Sequence, residues 1–192
     1  MREELVINQP AQLKALGSNV RLLITDWLLT HGPLSARELA RNMGLRRTAI
    51  YHHLKVLLAA GLVEKAEDLD GDKFRPVAVT YRIDRAQNNP EWNEALGEMA
   101  NCVLRGLSRG FRAAYLDPSV VRSDDPNKNE VEWQRSVFRL SPEELAEVND
   151  DVHRVVNKAR EIGVKNFEHP EVGKLYTFAT FFVPEEEHTE DG

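Results

Sequence analysis

From Ser35 to Gly61 the chain is punctuated so closely that only two short helices fit. Ser35 and Glu38 form an S-x-x-E capping box, in which each side chain satisfies an orphan backbone N–H at a helix start. The box opens a helix over Ala36–Asn42, which Gly44 breaks. A second helix starts at Arg46 or Arg47, runs to Ala60 and is closed by Gly61. Two strand-like runs follow, Leu62–Asp68 and Val77–Ile83, with Asp70-Gly71 between them. Asp-Gly in that setting is a strong hairpin signal, and Pro76 confines its neighbourhood to a sheet edge. Helix, glycine turn, helix and hairpin in this order predict a helix-turn-helix followed by a wing.

The second helix of such a motif enters the major groove of DNA, so it needs one face that packs and one that carries donors. With Ile50 at 0° and roughly 100° per residue, Leu54, Leu57 and Leu58 fall between about −20° and +80°. Thr48, His52, Lys55 and Ala59 fall on the opposite side, at about 140–200°, and Tyr51 flanks them. Arg46 and Arg47 stand at the helix start. Arginine contacts guanine bidentately, and Lys, Tyr, Thr and protonated His reach phosphates. His53 borders the apolar side and is expected to be a packed, hydrogen-bonded histidine. Lys73 and Arg75, near the hairpin tip, would lie along the DNA backbone or minor groove, against the opposing acids Asp68, Asp70 and Asp72.

Charge follows the same division. The whole chain carries a net −6. Residues 1–84 hold 12 basic and 10 acidic side chains, net +2, whereas the remainder holds 13 and 21, net −8. Between Glu38 and Glu64 there is no acid, while Arg41, Arg46, Arg47 and Lys55 are basic. Such asymmetry points towards nucleic acid; the plainer reading is a solvated basic face.

Residues from Ala11 to Asp84 resemble the ArsR-like winged helix-turn-helix transcription regulators. The matching stretches are LSARELARNMGLRRTAIYHHLKVLLAAGLVEK and the hairpin ending VTYRI, with HHLKVL and AGLVE the most specific. The resemblance covers under half the chain and implies binding to double-stranded DNA, usually as a homodimer at an operator. It assigns the recognition-helix role to Arg46, Arg47, Thr48, Tyr51, His52 and Lys55. Metal-sensing members place paired cysteines in the preceding helix, and Ala36–Met43 contains none, which excludes a thiolate sensor there.

Upstream, Ala11–Leu16 and Asn19–Thr30 are expected helices. Downstream, a long helix over Glu91–Tyr115 is amphipathic, with Gly106 and Gly110 on its apolar face. Glycine there costs about 1 kcal/mol against alanine. A close helix–helix approach would explain it, either at a dimer interface or within the chain. Val131–Leu140 reads as a strand. Ser141-Pro142-Glu143-Glu144 starts a helix to Ile162 that buries Leu145, Val148, Val152, Val155, Val156 and Ala159. Leu175–Val183 is an aromatic-rich strand that could pair with the first. The cluster is either a pocket for an unidentified small-molecule effector or a core.

The expected fold is α+β: an N-terminal winged helix-turn-helix, then a long helix and a small α+β C-terminal element. The expected domains are 1–84 for DNA, 90–184 for dimerisation and an effector, and an acidic disordered tail at 185–192. No nucleotide-binding, hydrolase or zinc-protease motif is present, so neither catalysis nor a cofactor is expected. The six histidines are scattered or, at His52-His53, point apart, and no metal is expected. The single cysteine, Cys102, excludes an intramolecular disulfide and reads as a bystander. No apolar run suits a membrane span, and the N-terminus lacks a signal-peptide core, so a cytoplasmic location is expected. The alternative function is a winged-helix protein-interaction module without sequence-specific DNA binding. RNA binding lacks an RNP1-type strand.

Overall fold

The computed structural model describes residues 2–66, 72–84, 86–125, 128, 130–132, 137–166, 176, 177, 179 and 180. The chain divides into two compact units, Met1–Gln134 and Arg135–Gly192. The first contains β1 (Arg2–Ile7), α1 (Pro10–Leu16), α2 (Asn19–His31), β2 (Leu34–Ser35), α3 (Ala36–Met43), α4 (Arg47–Ala59), β3 (Val63–Lys65), β4 (Lys73–Pro76), β5 (Ala78–Ile83) and α5 (Pro90–Leu116). The second contains α6 (Pro142–Asn166).

The capping box forms as its residues demand. The Glu38 N–H donates to Ser35 Oγ at 3.3 Å, and the Ser35 N–H donates to Glu38 Oε2 at 2.7 Å. The Ser35 hydroxyl donates to the same carboxylate at 2.7 Å. The two bonds that Ser35 donates to the carboxylate, from its N–H and its hydroxyl, hold the Glu38 carboxyl below its ordinary value of 4.5, since both favour the ionised form. Gly44 ends α3 at φ +64 and Gly61 follows α4 at φ +67, a left-handed backbone that a side chain would strain. Together they set the turn between α3 and α4 and the exit into β3.

The wing is shorter than the sequence suggests. β3 pairs antiparallel with β4, Val63 opposite Pro76 and Lys65 opposite Phe74, and β2 lies on the other side of β4. The expected second wing strand, Val77–Ile83, is instead β5, whose partner is β1, in parallel. The change of partner falls at Val77, whose N–H still donates to the Leu62 carbonyl at 3.1 Å on the β3 side while its carbonyl accepts from the Arg2 N–H at 2.8 Å on the β1 side. The Asp70-Gly71 turn lies outside the described residues. β1 was not anticipated, although Leu5-Val6-Ile7 is an apolar, β-branched run.

One core joins these elements. Leu13, Ile24, Leu28, Leu39, Ile50, Leu54 and Leu57 are buried in it, and so is Trp92 of α5. Asn89 caps α5, its Oδ1 accepting from the Trp92 N–H at 3.0 Å, and Pro90 occupies the first turn. Lys14 pairs with Glu91 at 2.8 Å. Gln12 ties α1 to the recognition region: its Oε1 accepts from the Asn8 and Gln9 N–H groups, and its Nε2 donates to the Ala60 carbonyl at 3.4 Å.

In the second unit, Ser141 and Glu144 repeat the capping-box pattern at the start of α6. No residue of α6 whose burial is described is buried. Val148, Val152 and Val156 are half-buried, and Leu145, Val155 and Ala159 are exposed, contrary to expectation. Among the described residues of 131–140 and 175–183 none is in a strand. The remaining residues of those two segments, and the acidic tail at 185–192, lie outside the described residues.

Replacing Ser35 by Ala removes the cap acceptor and should cost about 1 kcal/mol in urea unfolding. The Glu38 contribution is present above its unfolded value of 4.5 and is lost as pH falls through its lower native value. The gap between wild type and Ser35→Ala should therefore narrow below that pH.

Candidate nucleic-acid interface

The placement of α4 follows from its buried side. Ile50, Leu54 and Leu57 are buried among residues of α2 and α3, including Ile24, Leu28 and Leu39. That burial turns Arg46, Arg47, Thr48, Tyr51, His52 and Lys55 outward, and all six are exposed. The face expected from the 100° count is thus assembled on one surface.

Local chemistry organises it. Arg46 is the N-cap residue, and no side chain caps the helix start. The first turn carries no acid, so its N–H groups and positive dipole end remain suited to an anion. Arg47 Nη2 donates to Tyr51 Oη at 3.0 Å, and its guanidinium lies 5.3 Å from the Tyr51 ring centroid. That pairing further favours the charged guanidinium. It also limits the rotamers of two long side chains before any partner arrives. The signal for this pair was present in the sequence as i, i+4 spacing, but the composite was not anticipated.

His53 differs from expectation. It is half-buried as foreseen, but its buried Nδ1 has no hydrogen-bond partner among the described residues. Its ring meets that of His52 edge-on, with centroids 5.8 Å apart. Burial, then the positive Arg21 and then His52, push its pKa below 6.5. Arg21 is held nearby because Nη2 donates to the Lys14 carbonyl at 2.7 Å and Nε to that of Ala15, which satisfies the last turn of α1.

The wing bases are differently placed. Arg75 Nε pairs with Glu64 Oε1 at 2.8 Å, directly across the β3–β4 ladder. Lys73 is half-buried and lies within the field of Glu38. A second pair, Lys65 with Asp72 at 2.9 Å, adds an acid to the same hairpin. The wing therefore presents less unopposed positive charge than α4. No group of three or more His, Cys, Asp or Glu that could hold a metal occurs among the described residues. Cys102 is buried.

Away from this surface, the C-terminal part of α5 keeps Leu104, Phe111, Tyr115 and Leu116 exposed. A Cβ at Gly106 would stand 3.7 Å from Asn19 Oδ1, whereas one at Gly110 would meet nothing within 4 Å. No helix among the described residues is long and apolar enough to cross a membrane.

Two short helices with a glycine turn, a buried ridge on the second helix and a three-stranded wing define a winged helix-turn-helix. Residues 18–65 match the profile of the bacterial regulatory protein, arsR family, so the chain carries an ArsR-like helix-turn-helix. Over 50 residues it is 46% identical to the HTH-type transcriptional regulator Rv2034 of Mycobacterium tuberculosis. That similarity covers 26% of this chain and spans 46% of the relative's length.

The depressed His53 pKa has a direct readout. Its ring should titrate below pH 6.5 in a proton NMR titration, and a midpoint at or above 6.5 would refute the desolvated environment. The group stabilises the fold above its unfolded value of 6.5, and that contribution falls away as acid protonates the unfolded chain.

Proposed function

We propose that the protein is a DNA-binding transcription regulator that inserts α4 into the major groove of an operator as a homodimer. The observation that carries the reading is the α4 face: six exposed donors opposite a buried ridge, in a stretch with no acid between Glu38 and Glu64. Arg46, Arg47 and Tyr51 are the proposed base readers. Thr48, His52 and Lys55 are the proposed phosphate contacts that set register. Lys73 and Arg75 are proposed backbone contacts of lesser weight, because Arg75 already faces Glu64. The relative's name, a transcriptional regulator, supports the class. The proposed work is non-catalytic and needs no cofactor, and the proposed location is the cytoplasm. An effector site is not part of this proposal.

Two copies are proposed because the motif reads paired half-sites related by twofold symmetry. The exposed apolar end of α5 is one surface available to the second copy. Open space at Gly110 means that Gly110→Leu fits the single chain, so it should lower dimer content without unfolding. Sedimentation with an unchanged monomer–dimer balance would argue against that role.

The DNA test is selection of bound sequences from random genomic fragments at two salt concentrations. Binding should enrich one sequence class and weaken steeply with salt, because released counterions set the slope. Arg46→Glu with Arg47→Glu should abolish binding while leaving circular dichroism unchanged. The milder Arg46→Ala should lower the log–log salt slope by about 1 if it contacts phosphate, or relax specificity at one base pair if it reads an edge. Arg75→Ala should weaken binding less than Arg46→Ala. Absence of any enriched sequence would overturn the regulator reading.

A further inference from the structure

The apolar face of α6 has a finer pattern than an amphipathic helix requires. Leu145, Val148, Val152, Val155, Ala159 and Ile162 are spaced 3, 4, 3, 4 and 3 residues apart. That is an unbroken run of a and d positions, as in the seam of a coiled coil, with Val156 at one e position beside it. Leu145, Val155 and Ile162 of this seam are 39%, 54% and 51% exposed, and Val148 and Val152 are half-buried.

The flanking charges state which partner fits. With Leu145 at position a, the g positions are Glu144, Asp151, Lys158 and Lys165, acids in the first half and bases in the second. In a parallel pair each g residue faces a partner e position. These are Asn149, Val156 and Gly163, and none is charged. In an antiparallel pair g faces g. With a layers set against d layers, Leu145 meets the partner's Ile162, Val148 the partner's Ala159 and Val152 the partner's Val155. The same register sets Glu144 against the partner's Lys165 and Asp151 against the partner's Lys158. Apolar layers and charges agree on one alignment, and twofold symmetry makes every pair twice.

We infer that α6 forms an antiparallel two-stranded coiled coil with α6 of a second copy of this chain. The existing bonds of these acids are compatible with it. Glu144 Oε2 accepts from the Ser141 N–H, and Asp151 pairs with Arg154 one turn on, so each carboxylate keeps an oxygen or lone pair for a second cation. The inference concerns a helix other than the DNA-facing one, and its test contains no DNA. Its failure would therefore leave the α4 reading untouched, and the converse also holds.

The test uses two full-length variants, Asp151→Lys and Lys158→Glu, which leave the cap at Ser141 intact. Alone, each sets like charges across both central g–g contacts. Each should raise the dimer dissociation constant about tenfold, since exposed pairs contribute only a few-fold apiece. Mixed in equal amounts, the two chains restore opposite charges at both contacts and should associate with each other in preference to themselves. Orientation is read in a Cys102→Ser background. A Leu145→Cys chain should form a disulfide with an Ile162→Cys chain and not with itself. Unchanged dissociation constants in both single variants, no preference on mixing, or self-crosslinking of Leu145→Cys chains would each overturn the inference.

Discussion

The arrangement of the first unit depends on burying one ridge, Ile50, Leu54 and Leu57, against α2 and α3. Full burial of one such side chain stabilises by roughly 1.5–3 kcal/mol. Rotating α4 by half a turn would exchange these three residues for Thr48, His52 and Lys55. Buried ammonium and imidazole groups would then need partners the core does not contain. The ridge therefore fixes more than stability. It decides which side chains solvent and ligands meet, and the basic surface is the other face of an apolar packing decision. Gly44 and Gly61 serve the same end by letting the chain enter and leave α4 without tilting it.

Charge gains meaning from the same geometry. The overall net of −6 describes neither end of the molecule. Residues 1–84 are net positive, and within them the wing neutralises itself through Arg75–Glu64 and Lys65–Asp72. What remains unopposed is concentrated at the start of α4, where the helix dipole adds to it. Field strength at a surface depends on local placement, and bulk acidity elsewhere is screened over about 10 Å at ordinary salt.

The winged-helix region was largely legible because its signals are local. A capping box, two glycines and a 3.6-residue period each act within a few residues, and α3 and α4 appeared within one residue of their expected ends. The donor face of α4 was readable for the same reason. The β1–β5 pair was not, because parallel pairing is a long-range choice that no short motif announces. Pro76 suggests a sheet edge, yet it ends β4, the central strand of its sheet, and the change of partner at Val77 depends on β1, which no local signal announces. Strands are expected at 131–140 and 175–183, much of which lies outside the described residues.

The parallel pairing of β1 with β5 has a consequence for the order of assembly. Arg2 stands opposite Ala78, so the two strands pair across 75 intervening residues. Loop closure of that span carries an entropic cost that local helices do not bear. β1, although it precedes the helices in the chain, is thus among the last elements to find its place, and Ile7 is sealed into the core when Ile83 arrives beside it. Until then the module exists as a helical nucleus with an unsealed flank. A residue far from the exposed donor face of α4 can in this way set how quickly the finished fold appears.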